Sequence, residues 1–163
     1  TEITKKLWEY IKKNGENVYD NSKLIIYTKR YELFNDIYSK HYNGKQRVMP
    51  KDIKLTPLQL ALWYMSDGNL NYGKRSGLYQ IRLSTHRYHI NDLKWLIDKI
   101  NDLYDIKFNI IRQCKNNKNY GYFLQTGKRY QIYKFCKLIE PYMCECFKYK
   151  IRCLNDEQWL SKL

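Results

Sequence analysis

No run of eighteen apolar residues occurs in the 163-residue sequence, and no apolar signal core stands at its start. With those absences nothing argues for a membrane span or for secretion. Low-complexity tracts are missing too. The five cysteines, Cys114, Cys136, Cys144, Cys146 and Cys153, include no CxxC pair. An odd count without such pairs argues against a zinc ribbon or a disulfide framework, and Cys144 and Cys146, one residue apart, have a poor metal spacing. All five read as reduced thiols. His41, His86 and His89 belong to no HExxH-type pattern, which argues against a histidine metal site. Acid is scarce as well: 16 Asp and Glu face 30 Lys and Arg, a formal charge of +14. That excess points to a polyanionic partner, nucleic acid before membrane, because no long basic amphipathic segment accompanies it.

What is present begins with length, enough for one domain with a real core. Tyrosine is abundant, 17 residues. Its ring packs and its hydroxyl can reach a phosphate or base. A/T-rich codons, as in an organellar genome, would produce the same bias. The chain opens with Thr rather than Met, so residues upstream of it are expected.

The most telling segment is Thr56-Pro57-Leu58-Gln59-Leu60-Ala61-Leu62-Trp63-Tyr64-Met65-Ser66-Asp67-Gly68. Thr56 suits a helix N-cap, Pro57 the first helical position, and Gln59 completes a capping box. From Leu58 to Met65 only Gln59 is polar, so the helix is expected to be buried against another element or another chain. Asp67 then sits where the helix ends, at the negative end of its dipole, an unfavourable place for an anion. It is either a metal ligand or, with Gly68, a simple turn.

The segments that follow read as α-β-β-α-β-β-α. A hairpin joins Asn69–Tyr72 to Leu78–Thr85 across Gly73-Lys74-Arg75-Ser76-Gly77. In its second strand Tyr79, Ile81 and Leu83 alternate with Gln80, Arg82 and Ser84, one apolar face and one bonding face. A helix near Asn91–Tyr104 carries the stripe Leu93, Leu96, Ile97, Ile100, Leu103 and Tyr104. A second strand pair, Lys107–Gln113 and Tyr120–Thr126, precedes a helix near Arg129–Glu140 with Ile132, Phe135, Cys136 and Ile139 as its core stripe. Pro141 closes that helix or opens a new turn. The order implies an α+β fold with helices on one sheet face and a polar, basic opposite face suited to a DNA groove. Gln80, Arg82, Ser84, Lys107, Asn109 and Gln125 are base-reading candidates, or else solvated strand residues. Lys74 and Arg75 at the hairpin tip are phosphate candidates. Upstream, Thr4–Lys12 reads as a helix, Asn17–Thr28 as a strand pair and Glu32–His41 as a helix with Leu33, Phe34, Ile37 and Tyr38 on one face. This matches the later part of the same unit. Residues 1–55 are therefore expected to be the tail of an incomplete first repeat, and 56–163 a complete second repeat.

Leu60-Ala61-Leu62-Trp63-Tyr64-Met65-Ser66-Asp67-Gly68 resembles the LAGLIDADG motif of homing endonucleases, and with Leu55-Thr56-Pro57 it looks like the second motif of intron-encoded, two-repeat members. The flanks agree. Tyr42-Asn43-Gly44-Lys45-Gln46-Arg47-Val48-Met49-Pro50 is similar to the segment preceding that motif. Ser84-Thr85-His86-Arg87-Tyr88 occupies the "TQSF" position, and Ile139-Glu140-Pro141-Tyr142-Met143 with Tyr149-Lys150 matches the closing segment. The resemblance runs over most of residues 20–151.

It implies a fold in which two motif helices pack at a pseudo-twofold axis above a saddle of antiparallel strands. It also implies metal-dependent hydrolysis of both strands of a double-stranded DNA target, leaving 3′ overhangs. Each motif helix delivers one acid to a divalent metal, usually Mg²⁺; here Asp67, with Gly68, is the implied metal site. Arg47 and Lys150 match the basic residues that orient water and steady charge, so Asp67, Lys150 and Arg47 form the implied catalytic set. Ser66 replaces the first acid of the usual Asp-Asp-Gly. Arg47 stands where Lys is usual, and a guanidinium cannot act as a base. The first motif is absent, so a second LAGLIDADG half is expected from upstream residues or a partner chain. A homodimer is less natural, since the partial repeat would crowd its interface. Two alternatives keep the basic saddle without the metal: an RNA-binding maturase of its own intron, and a structural subunit of an organellar ribosome bound to ribosomal RNA. The family and the codon bias together imply an organellar, mitochondrial setting.

Overall fold

The computed structural model describes residues 32–44, 46–115 and 118–163. The chain divides into two units, Thr1–Asn35 and Asp36–Leu163, and almost everything described belongs to the second. The helix expected over Thr4–Lys12 and the strand pair over Asn17–Thr28 lie outside the described residues. Helix α1 (Glu32–His41) is present as expected. The side chains of Leu33, Phe34 and Ile37 are likewise outside the described set, while Tyr38 is exposed and stacks on Tyr42 with ring centroids 4.6 Å apart. A small hairpin follows, unforeseen in the sequence: β1 (Tyr42–Asn43) pairs antiparallel with β2 (Gln46–Arg47). Gly44 in its turn has φ +58, a conformation glycine adopts without strain.

Helix α2 (Pro57–Asp67) begins with the expected capping box. The Gln59 N–H donates to Thr56 Oγ1 at 3.3 Å, and Gln59 Oε1 accepts from the Thr56 N–H at 2.8 Å. Leu60, Ala61, Tyr64 and Met65 are buried. Leu58 and Leu62 remain 47% and 54% exposed. Among the described residues the helix therefore packs along one stripe, and a second apolar stripe is left open for another element or another chain.

Strands β3 (Gly68–Gly73) and β4 (Leu78–Ser84) form the first hairpin, β5 (Asn109–Lys115) and β6 (Lys118–Thr126) the second. They join in one antiparallel sheet of order β3-β4-β6-β5. Helices α3 (Ile90–Tyr104) and α4 (Arg129–Ile139) pack against it. Two 3-10 segments, Glu140–Tyr142 and Glu145–Asn155, lead to a short α5 (Glu157–Leu160), so Pro141 opens a new turn.

The core unites Leu70, Ile81, Leu83 and Leu124 from the sheet with the stripes of α2, α3 and α4. Tyr64 and Phe108 both meet Phe135 edge-on, at 5.3 and 5.6 Å between centroids. All four residues expected in the α4 stripe are buried. In α3 Leu93, Leu96 and Ile100 are buried, Ile97 and Tyr104 partly so, but Leu103 is 49% exposed. The helix ends at Asp105, in left-handed backbone, where Lys134 Nζ bonds both its carbonyl (2.7 Å) and its carboxylate (2.6 Å). Leu103, in the last turn, lies off the buried stripe. All five cysteines are free thiols, with Cys136 and Cys153 buried 3.6 Å apart. Among the described residues no helix is long and apolar enough to cross a membrane.

Candidate nucleic-acid interface and acid site

Asp67 is the last residue of α2 and is exposed. Its placement depends on Gly68, whose N–H donates to the Tyr64 carbonyl as the chain leaves the helix and enters β3. A Cβ at position 68 would lie 2.0 Å from Tyr64 Cδ2 and 2.5 Å from the Tyr64 carbonyl oxygen. Only glycine lets the strand start this close to the helix, so the Asp-Gly pair is required by close approach and not by an unusual φ.

Lys150 resolves the misfit of an acid at the negative end of a helix. From a 3-10 segment distant in sequence, its Nζ donates to the carbonyls of Met65 (2.6 Å) and Tyr64 (3.3 Å). A cation thus caps the carbonyls that would otherwise repel the carboxylate. The contact is reciprocal, since the Tyr64 hydroxyl donates to the Lys150 carbonyl at 2.8 Å. Burial raises the Tyr64 phenol well above its ordinary value, so it stays a neutral donor. Burial lowers the Lys150 ammonium from its ordinary value, and the nearby Asp67 charge partly offsets this. Asp67 and Lys150 are therefore electrostatic neighbours.

Arg47 joins them from the small hairpin. A cavity of about 330 Å³ is lined by Arg47, Asp67, Ser84, Thr85, His86, Arg87 and Tyr88. The backbone of Arg47 bridges to Tyr88 in parallel, its guanidinium carbon lies 5.9 Å from the Tyr42 ring centroid, and its buried Nε has no hydrogen-bond partner among the described residues. Burial raises the Tyr88 phenol, while Arg47 pulls it back. The structure thus brings Asp67, Arg47 and Lys150 to one end of α2.

Of the base-reading candidates, Arg82 and Gln125 are directly opposite on β4 and β6, and Arg82 Nε donates to Gln125 Oε1 at 2.8 Å. The register extends this pair into a row across the whole sheet: Asn69, Arg82, Gln125, Asn109. Opposed residues share a face, so these four side chains lie on the same side. Gln80 stands opposite Asn71. Ser84, opposite Phe123, also lines the acid cavity. Lys74 and Arg75 are exposed in the hairpin turn.

Lys107 departs from expectation. It precedes β5, between the buried Ile106 and Phe108, and its N–H donates to Gln131 Oε1 at 2.8 Å. Its backbone is thus fastened to α4 ahead of the strand, and its side chain is exposed. Residues overlooked in the sequence include His86 and Arg87 in the acid cavity, and Phe123 and Gln113 on the strands. Phe123 lies under the Arg82 guanidinium, 4.9 Å from carbon to ring centroid, and Gln113 Oε1 is hydrogen-bonded to His86 Nε2. The basic-aromatic run around His86 was the available signal. No Asp or Glu occurs in any of the four strands of the large sheet.

Among the described residues no group of three or more His, Cys, Asp or Glu could hold a metal ion. One carboxylate in an open cavity still fits the way Mg²⁺ is commonly held, through one or two carboxylates plus substrate phosphates and waters. It does not fit a metal held entirely by protein groups.

The model of the LAGLIDADG DNA endonuclease family matches residues 2–133. An uncharacterized protein of Methanocaldococcus jannaschii is 31% identical over 154 residues, covering 94% of this chain and 57% of that protein. The cytochrome b mRNA maturase bI2 of Debaryomyces hansenii is 30% identical over 74% of this chain and 43% of its own length. Its Saccharomyces cerevisiae counterpart is 31% identical over 74% and 28%. The chain therefore spans little more than half, or less, of these relatives. Among solved structures, the homing endonuclease I-WcaI bound to its DNA recognition sequence superimposes with a TM-score of 0.63 at 21% identity, over 76% of this chain and 54% of that one. That likeness confirms the mixed helix and antiparallel-sheet fold expected above. With its family model matched over most of its length, the chain belongs to the LAGLIDADG DNA endonuclease family.

Proposed function

We propose that this chain forms one half of a site-specific double-strand DNA endonuclease of the homing type, acting by metal-dependent phosphodiester hydrolysis. The observation that carries the reading is the meeting of Asp67, Arg47 and Lys150 at the end of α2, next to a sheet without carboxylates. In this reading Asp67, with Gly68, would hold Mg²⁺. When bound, the ion supplies charge neutralisation at the scissile phosphate and acidifies water. Arg47, permanently charged, steadies the phosphate, and Lys150 sets the field at Asp67 while fixing the helix end. The row Asn69, Arg82, Gln125, Asn109 reads base edges, and Lys74 and Arg75 hold phosphates.

A second acid is needed to cut the second strand. The open stripe of Leu58 and Leu62 supports a second motif helix packing there, from upstream residues or another chain. The reading accordingly treats residues 1–55 as the tail of an earlier repeat and 56–163 as a whole one. A second reading, an RNA-binding maturase acting on intron RNA, is supported by the two maturase relatives. Both readings include a mitochondrial setting, suggested by those relatives' action on cytochrome b mRNA.

The test is Mg²⁺-dependent cleavage of the intronless target by the full-length protein, with any separate half supplied. Asp67→Asn is expected to abolish cutting while leaving DNA affinity intact. Tight binding of the intron RNA with no nicking of DNA would replace the first reading by the second.

A further inference from the structure

Beside the acid cavity lies a second cleft, of about 430 Å³, whose lining includes Gln46, Arg87, Tyr88, His89, Tyr120 and Tyr122. The two spaces share the wall formed by His86, Arg87 and Tyr88. Strand β2 supplies a consecutive residue to each, Arg47 to the acid cavity and Gln46 to the cleft. The shared loop is held from several sides. Buried Thr85 donates its hydroxyl to the Tyr122 carbonyl at 2.9 Å, and the Tyr88 N–H donates to the Thr85 carbonyl at 3.1 Å. Gly121, at φ +109, lets β6 run directly against the loop, since a Cβ there would stand 2.2 Å from the His86 carbonyl oxygen. Within this fixed frame Arg87 is exposed and has no hydrogen-bond or ion-pair partner among the described residues. Among the described residues no carboxylate lines the cleft.

We propose that this cleft seats one nucleotide of the bound DNA strand, adjoining the phosphate held at Asp67. An unpaired guanidinium is suited to a phosphate, and tyrosine rings offer faces on which a base can stack. The volume falls within the ~300–1,000 Å³ typical of small-ligand pockets. A preformed seat beside the reacting phosphate would fix the strand's register without reading its sequence. The inference rests on the DNA-binding part of the proposed function and is independent of cleavage.

The probe is thymidine 5′-monophosphate, titrated into the ¹⁵N-labelled full-length protein with thymidine and inorganic phosphate as comparisons. Saturable shifts of the Tyr88, His89 and Gly121 amides are expected, with the nucleotide binding at least about fivefold more tightly than either fragment. Arg87→Gln removes that advantage, and Asp67→Asn keeps it. Tyr120→Ala, a truncation at a 54% exposed position, weakens the nucleotide and thymidine but not phosphate. Shifts scattered over the basic surface, or an unchanged advantage in Arg87→Gln, would overturn the proposal. DNA cleavage without nucleotide binding sinks this inference alone; nucleotide binding without DNA cleavage sinks the nuclease reading alone.

Discussion

Gly68 and Lys150 decide the character of Asp67. At Gly68 the constraint is space, because a methyl group would overlap both the ring and the carbonyl of Tyr64. Gly68→Ala is expected to destabilise the protein by about 3 kcal/mol, the upper range for overpacking, read as a lower urea midpoint with an unchanged m-value. Lys150 is held by carbonyls and partly withdrawn from water, so its ammonium is expected to lose its proton at lower pH than a surface lysine. Between that lowered value and the ordinary 10.5, the unfolded chain binds more protons than the folded one, so folding stability rises with pH through this window from Lys150. An NMR titration of the lysine side chains checks the order. Asp67→Asn, which removes the offsetting charge, should lower the Lys150 value further. Asp67 and Gly68 could be singled out from the motif alone. That Lys150 caps the motif helix could not, because the contact crosses more than eighty residues of chain.

At the scale of the element, α2 shows how local rules and packing divide the work. Its start is set by Thr56, Pro57 and Gln59 within one turn, a purely local arrangement. Thr56→Ala is expected to cost about 1 kcal/mol, seen as a lower Tm, by stripping one N-terminal N–H of its acceptor. Which sides of the helix are buried is not local. An almost wholly apolar rod calls for cover by another element or another chain, and among the described residues the neighbouring elements press on one stripe, leaving Leu58 and Leu62 facing outward. The α4 stripe was legible in full, since its spacing leaves a polar side to solvent and a single apolar side to bury. Leu103 was misread because it follows the α3 spacing but comes in the final turn, off the face that meets the sheet. The strand expected from Lys107 starts instead at Asn109, because period-2 alternation begins before the ladder does.

For the whole molecule the governing quantity is charge and its distribution. Thirty basic residues against sixteen acidic ones make a strong general attraction to polyanions. The strands of the large sheet add a polar row without carboxylates, and the hairpin turn carries Lys74 and Arg75 at its exposed tip. DNA binding is expected to weaken steeply with salt, because log K falls by roughly 0.9 per phosphate neutralised for each tenfold rise in salt. Lys74→Ala and Arg75→Ala should each reduce that slope by about 1 while weakening all sequences alike, in filter-binding titrations over a salt series. Arg82→Ala should instead blur the preference among sequences. A shallow slope in the unmodified protein would contradict the electrostatic account.

Local and compositional physics was written in the chain itself: the basic charge, the capped motif helix ending in Asp67, the two hairpins and the α+β order. Those depend on neighbours a few residues apart, on alternation or on simple counting, and all survive in one dimension. Only the folded arrangement decided that Arg47 and Asp67 line one cavity, that Lys150 neutralises a helix end, that four strands align one polar row, and that His86 and Arg87 border the acid site. Each of these joins segments far apart in sequence, and a contact of that kind is fixed by core packing and strand register, neither of which any single stretch encodes.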